Sequence, residues 1–246
     1  MPRVASETTA VVAGEGDDLR EAELVPPAEG SALALSSLRL AAGSEDLIAD
    51  ATQDTLLYVS GGAGSLVLAD KTHALAEGSA ALLVAGQEAA LEAGADGLAV
   101  VRATVGPDAD RHAPLGPRET VVSFEGAGSE RATGARSFQV LFGPHNGATR
   151  ATLFAGFIPP GKAPWHYHLY DEIVWVPEGP GRLHLKEGVE ELGAGSAFRL
   201  HPREVHIVEN ANPDRELTVI GIFTPAGSPS AAYLTPDVAA EYRFAG

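Results

Sequence analysis

Short apolar runs separated by turn residues recur along the chain from about residue 31 to residue 224. Typical runs read DTLLYVS, SLVL and SAALLVAG, with glycine and polar residues between them. Such runs are typical of the strands of a sandwich or barrel, whereas helices need longer stretches with a period of about 3.6 residues. The pattern therefore predicts an all-β fold with almost no helix.

The strand pattern occurs twice, at an offset of 117 residues. The segment 54–68 (DTLLYVSGGAGSLVL) aligns with 171–185 (DEIVWVPEGPGRLHL), and no gap is needed up to the pair 89/206. Matching glycines indicate matching turns, and matching leucines indicate matching core-facing positions. The chain is therefore predicted to contain two copies of one β-domain, packed as an internal pseudo-dimer.

Composition shifts divide the chain further. The segment VGPDADRHAPLGP lacks periodicity and is broken by proline and glycine, so it is interpreted as a linker. We expect a polar leader that need not be ordered (1–20), a first domain (21–105), the linker (106–118), a second domain (119–226) and a tail (227–246) with one short helix near 236–243.

Charge and cysteine content exclude several classes of function. The formal net charge is −16, and an acidic surface repels phosphate backbones and anionic lipids, so nucleic-acid and membrane partners are not expected. The absence of cysteine excludes disulfides and Cys-ligated zinc. Neither a secretory signal nor an apolar stretch of about 20 residues is visible, so a cytoplasmic location is expected.

Candidate metal ligands lie in the second copy. His166 and His168 are two residues apart and would share one face of a strand, and Glu172 has the same parity if that strand continues. His206 lies on a later strand that could pair alongside. Three imidazoles and one carboxylate suit a divalent transition metal, although the donors alone do not choose between Fe, Mn, Ni, Co, Cu and Zn.

The spacing of these residues resembles the two motifs of the cupin superfamily. The first, G-x5-H-x-H-x3-4-E-x6-G, is matched by His166-x-His168-x3-Glu172-x6-Gly179. The second, G-x5-P-x-G-x2-H-x3-N, is matched by Gly195-x5-His201-x-Arg203-x2-His206-x3-Asn210. The departures are Gly161, one residue too close to His166, and His201 and Arg203 at the proline and glycine positions. The resemblance implies two cupin barrels, with one metal ion held in the C-terminal barrel by His166, His168, Glu172 and His206.

The repeat indicates that the first copy has no such site. The 117-residue offset places Ala49, Ala51, Thr55 and Ala89 at the four ligand positions. All four donor side chains are absent together, so the first domain is expected to be metal-free and structural.

The resemblance implies a metal-dependent enzyme acting on a small organic metabolite, with oxygenase chemistry of the cupin dioxygenase type. Glu172 would then be a ligand that could also act as a general base. One alternative is a redox-neutral isomerase, lyase or hydrolase, and another is a metal-dependent protein that binds a small ligand without catalysis. A further homodimer is plausible.

Four residues are candidates for contact with substrate, each with a structural alternative. Tyr170 precedes Glu172, and His201 lies in the loop before His206. His184 replaces Val67 of the first copy, which suggests pocket lining, although the matching leucines on either side favour a solvent-facing position. Arg199 replaces Leu82, and this change suggests an anion-binding role or, as the favoured alternative, a solvent-facing position. Trp175 has the opposite parity to the ligands and is predicted to pack at an interface.

Overall fold

The computed structural model describes residues 3–7, 9–15, 18–124, 130–131 and 136–235. Within these ranges the chain forms strands and one short 3-10 turn, Pro144–Asn146, and contains no α-helix. The predicted all-β fold is therefore confirmed. The helix expected near 236–243 lies outside the described residues.

The first lobe is one antiparallel sheet that folds over on itself. Its strands among the described residues are β1 (Val11–Glu15), β2 (Leu19–Val25), β3 (Leu33–Leu40), β4 (Glu45–Ala49), β5 (Asp54–Val67), β6 (Thr72–Ala76), β7 (Ser79–Leu83), β8 (Glu88–Val105) and β9 (Val121–Ser123). They pair in the order β1-β2-β3-β8-β5-β7-β9, with β4 beside β8 and β6 beside β5. The long strands β5 and β8 bend where register shifts flank Gly62, whose φ is +75°. A Cβ at this position would stand 2.3 Å from the carbonyl oxygen of Gly97.

The second lobe consists of two antiparallel sheets that face one another. Its described strands are β10 (Glu130–Arg131), β11 (Ser137–Phe142), β12 (Thr152–Ile158), β13 (Gly161–Lys162), β14 (His166–His168), β15 (Asp171–Val176), β16 (Gly181–Leu185), β17 (Gly188–Leu192), β18 (Ser196–Leu200), β19 (His206–Asn210), β20 (Leu217–Thr224) and β21 (Ala232–Leu234). One sheet has the order β10-β11-β12-β20-β15-β18. The other has the order β17-β16-β19-β14-β21, with β13 beside β19.

Each lobe has its own apolar interior, and a third apolar core joins the two. The first interior is aliphatic and includes Leu57 and Leu66 from the two halves of β5. The core between the lobes takes residues from both, among them Tyr58 and Trp175, whose ring centroids are 6.2 Å apart. The prediction that Trp175 packs at an interface is confirmed.

The lobes also exchange short segments of chain. Strand β9, which follows the expected linker, pairs with β7 of the first lobe, so Val122 lies opposite Ala80. Ala5 forms the reciprocal bridge to Ala197 of the second lobe. Val122 and Ala5 are 117 residues apart, as are Ala197 and Ala80, so the start of each copy is attached to the other lobe.

This exchange differs from the expected domain boundaries at two places. Residues 121–123 belong by their pairing to the first lobe, although the second domain was expected to begin at 119. Described residues of the expected leader also make defined contacts, since Arg3 pairs with Glu204 and donates to the Arg199 carbonyl at 2.9 Å. The backbone of an outer strand has unpaired hydrogen-bonding groups, and each exchanged segment satisfies some of them.

Candidate metal centre

The structure brings the four predicted ligand residues together in one buried cavity. His166 on β14 and His206 on β19 are opposite each other in the ladder, and their ring centroids are 4.4 Å apart. The His168 ring lies 5.0 Å from the His206 ring. The four side chains thus converge from three strands, of which β19 is distant in sequence from the other two.

Glu172 reaches the cavity by a different route from the one expected. The chain bends at Leu169 and Tyr170, and Glu172 belongs to β15 in the facing sheet, so it does not continue the strand of His166 and His168. The matching parity was therefore not the cause of the convergence. The carboxylate approaches the histidines from across the interior, and its Oε2 lies 2.8 Å from Nε2 of His168.

Each histidine is oriented by a backbone carbonyl near it in the chain. Nδ1 lies 2.9 Å from the Pro164 oxygen in His166, 3.0 Å from the Tyr170 oxygen in His168 and 2.9 Å from the Glu204 oxygen in His206. A carbonyl can only accept, so Nδ1 carries the proton and Nε2 of each neutral ring keeps its lone pair. Metal-binding histidines are typically held in this way through the nitrogen that does not bind the metal.

The protonation of the three rings is set by burial and by their charged neighbours. Burial and then Arg136 lower the pKa of His166 to about 3. Burial, together with the other two histidines, lowers the pKa of His206 well below its usual value. Burial also lowers the pKa of His168, but the charge and hydrogen bond of Glu172 outweigh this effect and its pKa is raised. His166 and His206 are therefore neutral electron-pair donors near pH 7.

The donor chemistry fits a divalent metal ion, although the donors do not yet surround one point. Within the described ranges, no group of three or more His, Cys, Asp or Glu side chains could hold an ion as it stands. Two contacts involve nitrogen atoms that an ion would need. Nε2 of His168 faces the Glu172 carboxylate at 2.8 Å, and Nη1 of Arg136 lies 3.3 Å from Nε2 of His166. Two acceptors as close as those of His168 and Glu172 require a proton or a cation between them.

Arg136 is the residue of this cavity that sequence reasoning missed. It precedes β11, far from both motifs, and lines the cavity beside His166. Burial lowers the pKa of its guanidinium, an effect that the Glu172 carboxylate opposes. The internal repeat could have pointed to Arg136. The residue 117 positions earlier is Leu19, and the strand that begins there, β2, corresponds to β11, so a charged residue in the second copy replaces a leucine in the first. The charged side chain of this position is therefore absent from the first copy.

The cavity is small and its walls are largely apolar. Its volume is about 90 Å³, and the aromatic rings of Phe138, Phe154 and Tyr170 form part of its wall. Pro229, which precedes β21, and Ala232, the first residue of that strand, also line the cavity. A cavity of this size and lining suits a small ligand.

One of the four predicted substrate residues lies in the cavity. The Tyr170 ring stacks on His168 with centroids 4.1 Å apart, and its hydroxyl points to the Pro229 carbonyl at 3.5 Å. His201 is exposed on a surface loop, away from the residues that line the cavity. The structure therefore does not bring His201 to the candidate site.

His184 and Arg199 are buried outside the cavity. Nε2 of His184 lies 2.5 Å from Oε2 of Glu209. Arg199 lies 3.3 Å from Oδ2 of Asp171 and donates to the carbonyls of Pro26 at 3.0 Å and Leu33 at 2.7 Å. The anion beside Arg199 is thus a carboxylate of the protein itself.

The strand registers correct one part of the comparison between the two copies. Ile48 lies opposite Ala89 in the first lobe, as His166 lies opposite His206 in the second. Ile48, rather than Ala49, is therefore the counterpart of His166, because the loop that follows is one residue longer in the first lobe. Ile48 and Ala89 are both buried in the aliphatic interior of that lobe.

Comparison with known proteins agrees with this architecture. Residues 155–223 match the family described as cupin domain. No curated protein matched the sequence. In the described residues, no helix is long and apolar enough to cross a membrane.

Solved structures resemble nearly the whole chain. A deletion mutant of oxalate decarboxylase from Bacillus subtilis matches 98% of this chain and 81% of its own, with a TM-score of 0.74 and 13% identity. AerE from Microcystis aeruginosa matches 87% of this chain and 96% of its own, with a TM-score of 0.70 and 11% identity. Another structure of the decarboxylase is described by its Mn(II) centres. At these identities the likeness shows the cupin fold alone.

Proposed function

We propose that the second lobe contains a metal-dependent enzyme site that acts on a small organic metabolite. His166, His168, Glu172 and His206 would hold one divalent transition metal. The observation that supports this most strongly is the set of three Nδ1 contacts to backbone carbonyls, which leaves the three Nε2 atoms directed into one cavity. A bound ion would supply Lewis acidity and open coordination positions for substrate.

Glu172 is proposed as the residue that transfers protons. Among the described residues that line the cavity, it is the only carboxylate. The Tyr170 hydroxyl points to a backbone carbonyl, and burial raises the pKa of this phenol, so it is a poor base. The Arg136 guanidinium has no acceptor atom. Proton transfer at a substrate therefore falls to Glu172, which lies next to His168.

Two classes of reaction are candidates. Oxygenase chemistry follows from the motif resemblance, and in that case substrate turnover consumes O2. A redox-neutral lyase is supported by the fold's similarity to oxalate decarboxylase over 98% of the chain. Oxygen uptake measured with an electrode during turnover of small metabolites separates the two, because only the oxygenase consumes O2 in proportion to product.

Metal content tests the proposal directly. Protein purified after supplying Fe, Mn, Ni and Zn in turn is expected to bind about one divalent ion per chain. His166→Ala should lose that ion, because it removes one of the donors. The matched control is His112→Ala, which removes an exposed imidazole outside the cavity and should leave metal content unchanged. A wild-type protein that stays metal-free with every metal would contradict the proposal, and loss of metal in both variants would contradict the assigned ligands.

A further inference from the structure

A groove beside the linker carries positive charge on an otherwise acidic protein. The chain has 33 acidic and 17 basic residues, yet two arginines of the linker segment, Arg111 and Arg118, line this groove together. Both side chains are exposed, and neither guanidinium forms an ion pair or hydrogen bond with a described residue. The linker groove has a volume of about 300 Å³ and shares no lining residue with the candidate metal cavity.

Backbone hydrogen bonds hold the segment that carries the two arginines. His112 donates to the Thr149 carbonyl at 2.7 Å. Glu119 donates to the Asn146 carbonyl at 3.0 Å. These two donors directly follow the two arginines in the chain, so each arginine is anchored beside its own attachment point. The linker is therefore fixed against the loop of residues 143–149, and the groove has a defined wall.

Gly147 leaves the room that the aliphatic stem of Arg118 occupies. The φ of this glycine is +103°, and a Cβ at its position would stand 2.4 Å from Cγ and 2.9 Å from Cβ of Arg118. The stem is thus packed against the glycine backbone while the guanidinium stays accessible. A side chain that is already held in place loses less conformational entropy when it binds a ligand.

The carboxylate of the groove does not cancel its positive charge. Among the described residues that line the groove, Asp54 is the only acid. Its Oδ1 accepts from the Ala85 N–H at 2.9 Å and lies 3.2 Å from Nη1 of Arg150. The Asp54 and Arg150 side chains are each 6% exposed, so they form a buried pair whose charges offset one another. The charges of the two exposed guanidiniums remain for a ligand.

We propose that the linker groove binds a small phosphate monoester, with Arg111 and Arg118 on its phosphoryl oxygens. This inference does not depend on the proposed metal site. A phosphoryl group brings nearly two negative charges at pH 7 and three acceptor oxygens, which matches two guanidiniums better than a single carboxylate does. The hydroxyl of Thr149, which also lines the groove, can donate to a remaining oxygen. A volume of about 300 Å³ leaves space for a short organic group beside the phosphate.

The acidic surface restricts the ligand to a small one. The formal net charge of the chain is −16, so a nucleic acid lying across the groove would also meet many carboxylates. Exposed charges are screened over about 8 Å at physiological salt, so a small dianion inside the groove is governed mainly by the nearest guanidiniums. The local charge therefore favours a phosphorylated metabolite over a polyanion.

Binding of glycerol 3-phosphate, with glycerol as its uncharged counterpart, tests the proposal. Calorimetric titration at low ionic strength should show one glycerol 3-phosphate per chain and no binding of glycerol. Arg111→Met and Arg118→Met should each weaken binding by about 10–100-fold, the value of a hydrogen bond between charged groups. Arg118→Lys keeps the charge and most of the stem, and it should show a smaller loss.

Two control variants separate the linker groove from other positions. Arg20→Met removes an exposed guanidinium outside the groove and changes the net charge equally, so it should leave binding unchanged. His166→Ala should also bind like the wild type, whereas loss of binding in this variant would place the phosphate in the metal cavity and overturn the proposal. The proposal also fails if the wild type does not bind glycerol 3-phosphate, if either methionine variant of the two groove arginines binds it as tightly as the wild type, or if succinate binds equally well. None of these results affects the metal-content test of the second lobe.

Discussion

Each of the three histidines in the cavity owes its orientation to a backbone carbonyl two residues away in the chain. The partners are Pro164 for His166, Tyr170 for His168 and Glu204 for His206. Because these contacts are local, the short segments 164–170 and 204–206 contain most of what is needed to aim the rings. Glu172 differs, since its position depends on the facing sheet and on the space that its neighbours leave.

That space depends on Gly221 of β20. A Cβ at this position would stand 2.2 Å from Cε1 of Phe154 and 2.9 Å from Oε1 of Glu172. Gly221→Ala should therefore push the ring and the carboxylate apart. We expect a loss of about 1–3 kcal/mol in the free energy of unfolding and a fall of about tenfold in metal affinity.

The matched control is Gly193→Ala, because a Cβ at that position meets no atom within 4 Å. Urea denaturation and competition for metal with a chelating dye measure the two effects. If Gly221→Ala behaves like Gly193→Ala in both measurements, the close packing around Glu172 is not needed for the site.

At the scale of elements, the histidine strand β14 depends on a segment that was expected to be part of a tail. Within the described residues, β14 pairs with β19 only at His166–His206, but it pairs with β21 at three positions. Residues 232–234 thus extend the sheet next to the candidate ligands. Apolar alternation could not predict this pairing, because a three-residue strand contains too little pattern to be recognised.

Removal of one backbone donor from β21 should loosen the histidine strand. Thr235 donates to the Trp165 carbonyl at 3.3 Å, and hydrogen-bonded pairs alternate along an antiparallel ladder. Tyr233, opposite Tyr167, is therefore in a hydrogen-bonded pair, whereas the N–H of Leu234 points away from β14. Tyr233→Pro should raise the metal dissociation constant by about tenfold and speed amide exchange over residues 166–168.

Two further variants separate the backbone from the side chains. Leu234→Pro should be tolerated, because proline is compatible with an outer strand whose N–H faces solvent. Tyr233→Ala keeps the N–H but removes the ring that stacks on Tyr167, with centroids 5.5 Å apart. If Tyr233→Ala lowers metal affinity as much as Tyr233→Pro, the ring contact rather than the ladder supports β14.

At the scale of the whole molecule, the repeat made the fold predictable, but it did not reveal how the copies join. The offset of 117 residues predicted two related β-domains, and their strands correspond. The exchange of Ala5 and β9 between the lobes left no sequence signal, because very short strands carry no periodicity. Arg136 was missed for a related reason, since no motif marks it and only the assembled sheets bring it to His166.

The sequence also could not identify the partners of Arg199, which the structure shows to be a link between the lobes. Its counterpart in the first copy is Leu82, and that substitution suggested an anion without indicating which one. The guanidinium contacts Asp171 of its own lobe and the carbonyls of Pro26 and Leu33 of the other. Ser31 of the first lobe donates to the same Asp171 carboxylate, which immediately precedes Glu172.

Loss of this guanidinium should cost far more stability than loss of an exposed one. The Arg199 and Asp171 side chains are only 8% and 9% exposed, so Arg199→Ala leaves a buried carboxylate without its cation and should lower the free energy of unfolding by about 3–5 kcal/mol. Arg215→Ala breaks a pair with Glu178 whose side chains are 59% and 71% exposed, and it should cost about 0–1 kcal/mol. Urea denaturation followed by tryptophan fluorescence measures both, since one of the two tryptophans, Trp175, lies in the core shared by the lobes. Equal costs in the two variants would mean that the carboxylate of Asp171 finds other partners or water, and that Arg199 is not needed to hold the lobes together.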